Sequence, residues 1–149
     1  MTHRARIRIA AATTAYAVDI GGDVRIGGTA AVERVVEVEH PLTRRPAHRF
    51  AIATGAVATS GIARRVWEWR GAFGHHLIDP AGGRPAWTGV IQATALAPNA
   101  LEAETLAKMA LLSGPERGLD ILAPAGGVLV LDDGDVRVAA PASPKVVAA

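Results

Sequence analysis

The sequence predicts an α+β domain, mostly antiparallel sheet with one long and one short helix. Three observations carry that expectation. Short β-branched runs recur between glycine-rich turn signals up to about Asp79, an alanine- and leucine-rich segment after Pro98 has helix boundary signals at both ends, and two valine-rich runs flank Asp133-Gly134. A length of 149 residues, 50% hydrophobic and 20% charged, suffices for one domain with a core.

Tyr16 to Ile20 and Val24 to Ile26 read as strands around Gly21-Gly22, and Val32 to Val38 follows Gly27-Gly28. In that third run Val36 and Val38 alternate with Glu37 and Glu39, the period of a half-buried antiparallel strand. Pro41 to Pro46 is a polar loop, and Phe50 to Thr54 resumes as a strand. Trp67 and Trp69 alternate with Val66, Glu68 and Arg70, which puts both rings on one face. Beside Arg64, Arg65 and Arg70 they suggest a base-stacking platform, but the near-neutral total charge favours two core-facing rings. Ile91 to Leu96 is a strand closed by Pro98. Asn99 then offers an N-cap, Glu102 a capping-box partner and Gly114 a stop, which bounds the long helix. Pro115 opens a short helix to Leu122, and Ala125-Gly126-Gly127 breaks it. Val128 to Leu131 and Val136 to Val138 pair through a two-residue type I′ turn at Asp133-Gly134, which accounts for three aspartates without a calcium ion.

Composition narrows the chemistry. Cysteine is absent, so disulfides, thiolate ligands and thiol nucleophiles are excluded, and a reducing, cytoplasmic setting is expected. A net charge of +2 is too small and too dispersed for a nucleic-acid binder. Arg4, Arg6, Arg8 and Ala15-Tyr16-Ala17 imitate a signal peptide, but Ile9 to Ala12 is too short for its apolar core, and no stretch reaches the roughly 18 apolar residues of a membrane span. The expected organisation is a poorly defined segment over 1–17, a domain portion over 18–139 and a disordered tail over 140–149.

Four segments carry residues suited to chemistry. Gly21-Gly22-Asp23 follows a strand and is either a tight turn or a place where a phosphate meets the backbone. Ala58-Thr59-Ser60-Gly61 offers two hydroxyls beside a glycine, without the spacing of a nucleophile elbow. His75-His76-Leu77-Ile78-Asp79-Pro80 places two histidines on opposite faces of a strand; either a turn before Pro80 brings His76 and Asp79 together, or an Asx turn leaves one histidine exposed and one in the core. Glu104 and Lys108 stand at i and i+4 on one helix face, and of 16 basic residues only Lys108 and Lys145 are lysines. A compact ammonium there suits a phosphate, or the place of a small cation.

In this order the segments resemble the FAD:protein FMN transferase (ApbE) family, over roughly Val18 to Arg137. Val18-Asp19-Ile20-Gly21-Gly22-Asp23 is similar to its G-G-D strand and loop, Ala58-Thr59-Ser60-Gly61 to its A-T-S-G segment, and His76 to Pro80 with Gly83 and Pro85 to its H-x-I-D-P-x-x-G-x-P. Ala103 to Lys108 aligns with its A-D-A-x-A-T helix, and Gly114 with the glycine that ends it. The resemblance implies the C-terminal part of that fold. It also implies a reaction in which the FAD diphosphate is split, FMN passes to a Thr or Ser hydroxyl of an acceptor flavoprotein, and AMP is released.

On that resemblance His76 handles the proton and Asp79 orders the loop beside it, while Gly21, Gly22, Asp23, Thr59, Ser60, Gly61 and Lys108 bind FAD. Magnesium belongs at Glu104, where the family has Asp, but Lys108 replaces the family's ligating Thr. A protonated lysine cannot coordinate a metal, so its ammonium is expected to replace some or all of the metal's charge. The family's chains are also longer. A fragment, a pairing with a separate N-terminal half and a non-catalytic flavin-binding or interaction module on the same fold are each consistent with that difference.

Overall fold

The structure is a computed structural model that describes residues 14–141. The expectations for a leader at 1–13 and for a tail from 142 onward fall outside the described residues. Strand β1 (Tyr16–Ile20) reverses into β2 (Asp23–Gly27) through Gly21 and Gly22, whose φ angles of 68° and 100° meet the demands of a two-residue hairpin turn. The Asp19 carboxylate closes the turn by accepting the Gly22 N–H at 2.9 Å.

The remaining elements are β3 (Arg34–Glu39), β4 (Pro46–Ile52), β5 (Gly55–Gly61), β6 (Val66–Trp69), β7 (Ala72–His75), β8 (Val90–Ala97), α1 (Ala100–Ser113), α2 (Pro115–Leu122), β9 (Gly127–Leu131) and β10 (Val136–Ala139). Six strands form one antiparallel sheet in the order β1-β2-β5-β8-β9-β10. Strands β3 and β4, and β6 and β7, form separate two-stranded ribbons.

Side-chain alternation divides the sheet into two faces. On one, Ala93, Ala95, Leu129 and Leu131 pack against Ala107, Ala110 and Leu111 of α1 and Leu122 of α2, while Ala56, Ala58 and Ala97 pack against Ala103. On the other, Val57 and Val128 meet Val38 and Phe50 of the β3–β4 ribbon. The ribbon is also tied down by polar contacts: Gln92 Nε2 donates to the Glu39 carbonyl at 2.8 Å, and His40 Nε2 donates to the Gly134 carbonyl at 3.1 Å. His40 Nδ1 meanwhile accepts the Leu42 and Thr43 amides, which settles its tautomer. Helix α1 starts as expected, with the Asn99 side chain accepting the Glu102 N–H at 3.0 Å, and Gly114 follows its end.

Three local expectations are corrected. Phe50 does not begin β4; the strand starts at Pro46, which pairs with Glu39, and ends at Ile52. A proline is tolerated there because the first residue of an edge strand need not donate. Ala53 and Thr54 form a turn, and a new central strand, β5, begins at Gly55 with φ 120°. The loop at Asp133-Gly134 has three residues instead of two. Leu131 N–H donates to the Asp135 carbonyl, Gly134 N–H donates to the Leu131 carbonyl, and only Gly134 in the loop has positive φ. A type I turn followed by a left-handed glycine satisfies the same strand pairing. Finally, Trp67 is not core-facing but 50% exposed, on a two-stranded ribbon hydrogen-bonded to no strand of the main sheet. The Trp69 side chain lies outside the described part of the structure.

One glycine tests the helical layer. A Cβ on Gly118 of α2 would lie 2.8 Å from the Ala110 carbonyl oxygen and 3.1 Å from Leu129 Cδ1. Helix propensity favours Gly118→Ala by about 1 kcal/mol, whereas overpacking costs about 1–3 kcal/mol. The variant is expected to be less stable than the parent in urea unfolding. A gain near the propensity value would show that α1 and α2 are not in this close contact.

Candidate active site

The β1–β2 turn, the last residues of β5 and the first of β8 lie together at one end of the sheet. Above them, the alanine face of α1 is turned inward, so Glu104 and Lys108 stand beside this end. On the opposite side the β3–β4 ribbon brings its tip, Glu39 to Arg44, to the same place. The result is a cleft of about 570 Å³.

Nine of the expected site residues line it: Gly21, Gly22, Asp23, Thr59, Ser60, Gly61, His76, Glu104 and Lys108. Asp79 does not. Its carboxylate is occupied in the loop after β7, accepting the Ala81 and Gly82 amides at 3.0 Å each, the Asx turn that the motif suggests. Its place is behind His76, where it shapes the loop.

Local geometry gives the lining residues different tasks. Asp23 Oδ1 accepts the Thr59 N–H at 3.1 Å, fixing the β1–β2 turn against β5. Thr59 and Ser60 are adjacent on a strand and therefore face opposite sides of the sheet. The Thr59 hydroxyl shares a 2.9 Å hydrogen bond with the buried Thr94 hydroxyl, on the ribbon side, while Ser60 faces the helices with Ala56 and Ala58. The two hydroxyls thus border the cleft from two sides and do not form one pair of ligands.

The two histidines also separate, as expected, into an exposed His76 and a buried His75. His75 Nδ1 accepts the Leu77 N–H at 3.2 Å, and its ring meets Trp87 edge to face at 4.6 Å. Burial pushes the His75 pKa down, with the Ala86 backbone opposing and His76 adding slightly to the depression. For His76, desolvation, Arg65 and Lys108 all disfavour the imidazolium, so the ring is neutral near pH 7 and retains a free lone pair.

Sequence reading missed the rim. Glu37, Glu39, Arg44, Arg64 and Arg65 all line the cleft, and Glu39 bridges two arginines, Arg44 at 2.7 Å and Arg64 at 3.5 Å. The Glu37/Glu39 alternation marked a solvent face, but nothing in it said that packing Val38 against Val57 would bring these carboxylates to the edge of a cleft. The Lys108 ammonium donates to Glu104 Oε1 within the helix.

Asp23 bears the cost of this arrangement. Burial raises its pKa above the ordinary 3.8; the Thr59 amide and Lys108 lower it, while Glu104 and Asp19 raise it further. The folded state therefore binds the Asp23 proton more tightly than the unfolded chain. That coupling costs nothing below the unfolded value and destabilises progressively as pH rises through the folded one. Asp23→Asn keeps an oxygen for the Thr59 N–H and removes the charge. Its thermal midpoint is expected above the parent's at pH 7, with the gap narrowing as pH falls towards 3.8. A lower midpoint at pH 7 would contradict this electrostatic picture.

Residues 4–131 match the model of the ApbE family. An FAD:protein FMN transferase of Vibrio cholerae is 34% identical over 110 residues, which are 71% of this chain and 33% of the relative. One of Treponema pallidum is 32% identical over 124 residues, 80% of this chain and 34% of that protein. Among solved structures, the ApbE protein of Thermotoga maritima superimposes with a TM-score of 0.72 at 28% identity, covering 84% of this chain and 42% of its own. The flavin transferase ApbE of Vibrio cholerae gives 0.58 at 28% identity, covering 87% and 43%. The chain spans about one third of the length of these curated relatives. With the family model matched along most of its length and the same fold in the solved relatives, this chain belongs to the ApbE family.

Proposed function

We propose that this chain is the nucleotide-binding and proton-handling part of an FAD:protein FMN transferase. The observation that carries the reading is the convergence of the Gly-Gly-Asp turn, the Thr-Ser-Gly strand end, His76 and the Glu104–Lys108 pair on one cleft. In the reaction, an acceptor Thr or Ser oxygen attacks the phosphorus of the FMN half of FAD. The bond from that phosphorus to the bridging oxygen breaks, and AMP leaves with the oxygen and the electron pair. A neutral His76 takes the proton that the acceptor hydroxyl loses. Gly21 and Gly22 have open space where a side chain would begin, so a phosphate or ring can approach the turn closely. Ser60 presents a hydroxyl, and Asp79 holds the loop that carries His76.

Magnesium at Glu104, which family membership suggests, does not fit the residues present. The Glu104 carboxylate is taken by the Lys108 ammonium, which has no lone pair for a metal. Among the described residues no three His, Cys, Asp or Glu side chains gather into a metal-binding group. We therefore assign the positive charge at this point to Lys108 and route no step through a metal. Charge neutralisation of a transferring phosphoryl group needs a fixed cation, which an ammonium supplies.

The test is incubation with FAD and an acceptor flavoprotein carrying the target Thr, followed by mass spectrometry of the acceptor. One added FMN is expected, with the rate reduced about 10²- to 10⁴-fold in His76→Ala. The acid limb of the rate is expected below the ordinary histidine value of 6.5, because the depressed His76 stays deprotonated there. FAD retained without an adduct favours a non-catalytic flavin-binding module. For the cation, turnover is expected to persist in EDTA and to be lost in Lys108→Thr. Activity abolished by EDTA and restored by Mg²⁺, with Lys108→Thr no worse than the parent, would overturn the assignment to Lys108.

A further inference from the structure

We infer that Arg65, which no motif above includes, is the residue that grips the diphosphate of the nucleotide, an inference that rests on the flavin-transfer reading of the cleft. The charged rim is mostly spoken for. Arg44 and Arg64 share Glu39, and Lys108 is held by Glu104. Among the described residues, the Arg65 guanidinium lines the same cleft with no carboxylate partner.

Its position is set by the backbone. Arg65 N–H donates to the Ile62 carbonyl at 3.1 Å, making a turn directly after β5. The next residue, Val66, pairs with His75 in the β6–β7 ribbon, so one step further along the antiparallel register Arg65 stands across from His76. The charge of Arg65 is felt at the His76 ring, as is that of Lys108 from α1. The neighbouring His75 is buried and does not line the cleft, while Asp23 and Glu104 border it.

In a cleft whose other cations, among the described residues, are paired with carboxylates, the Arg65 guanidinium beside the His76 imidazole is a free cation for a polyanion. Arg65 meets one with its whole guanidinium free, whereas Arg44, Arg64 and Lys108 each already share a carboxylate. Its planar fork matches two phosphoryl oxygens, whereas the compact Lys108 ammonium acts as a point charge from α1. A diphosphate between them would also offset the charges that disfavour protonated His76, so nucleotide binding and proton uptake by His76 reinforce each other.

The test uses the 149-residue chain, its Arg65→Gln and Arg65→Lys variants, and three probes: FAD, riboflavin and inorganic pyrophosphate. Loss of a charge-assisted contact predicts that Arg65→Gln binds FAD and pyrophosphate about 10- to 100-fold more weakly. Riboflavin, which has no phosphate, should bind within about twofold of the parent, and Arg65→Lys should fall between. NMR titration of His76 should show an upward shift of its midpoint when pyrophosphate binds the parent, and a smaller one in Arg65→Gln. Equal pyrophosphate affinity in parent and Arg65→Gln overturns the inference, as does a parent that binds no pyrophosphate. A parent that binds pyrophosphate through Arg65 but neither FAD nor riboflavin leaves the anion site standing and overturns the flavin reading instead.

Discussion

The close approach of α1 to the sheet is the constraint on which the site depends. Ala103, Ala107 and Ala110 on the helix face Ala56, Ala58, Ala93, Ala95 and Ala97 on β5 and β8, and all of them are buried. Methyl groups on both sides leave no room for a longer side chain between the layers, so helix and strands meet with little slack. The large apolar residues of the helix are spread around it, with Leu101 and Met109 exposed and Leu111 fully buried, so the alanine stripe and Leu111 together define the face that meets the sheet. Because the inward positions are fixed, Glu104 and Lys108 are fixed as well, one residue to the side of the alanine stripe and directed at the sheet end. A leucine at Ala107 would push away the helix that brings the cation to the cleft.

A second layer of control comes from polar ties across the cleft. Asp23 joins the first turn to β5 through the Thr59 amide, and Gln92 and His40 hold the β3–β4 ribbon against the opposite face of the sheet. Glu39 then orients two arginines at the rim. These ion pairs are partly exposed and contribute little to stability, so their importance is geometric. They determine which positive charges are engaged and which remain available. The raised pKa of Asp23 and the lowered pKa of His76 arise from the same crowding of charge and partial burial. Shifted titration of clustered, partly buried groups is common at functional sites and supports the proposed role of the cleft.

Much of this was legible from sequence where a local rule acts alone. Asn99, Gly114 and Pro115 bound the helices correctly because capping and proline geometry need no tertiary partner. The Gly21-Gly22 turn, the Asx turn at Asp79 and the split between His75 and His76 were legible for the same reason. Errors appeared where a choice depended on distant contacts. The break between β4 and β5 at Ala53-Thr54 is marked in the sequence only by Thr54-Gly55 between two apolar runs, and the register against β3 and β8 shows where each strand ends. Trp67 looked like core because alternation specifies a face without saying whether anything covers it. The arginine rim could not be assembled from the sequence, since it joins the β3–β4 connection with Arg44 to the β5–β6 connection with Arg64 and Arg65, whereas ordered motifs identified nine of the lining residues. No helix among the described residues is long and apolar enough to cross a membrane, in line with the hydropathy of the sequence.

The central claim is that this short chain by itself builds a cleft for a flavin nucleotide at the sheet end beneath α1. The most direct measurement is an NMR titration of the isotope-labelled protein with FAD, followed at every assigned backbone amide. The expected result is saturable shifts confined to Gly21–Asp23, Thr59–Gly61, the Arg64–Arg65 turn, His76 and the Glu104–Lys108 turn of α1, with the β9–β10 hairpin unmoved. Absence of saturable shifts, or shifts centred on a surface away from those segments, would contradict the account.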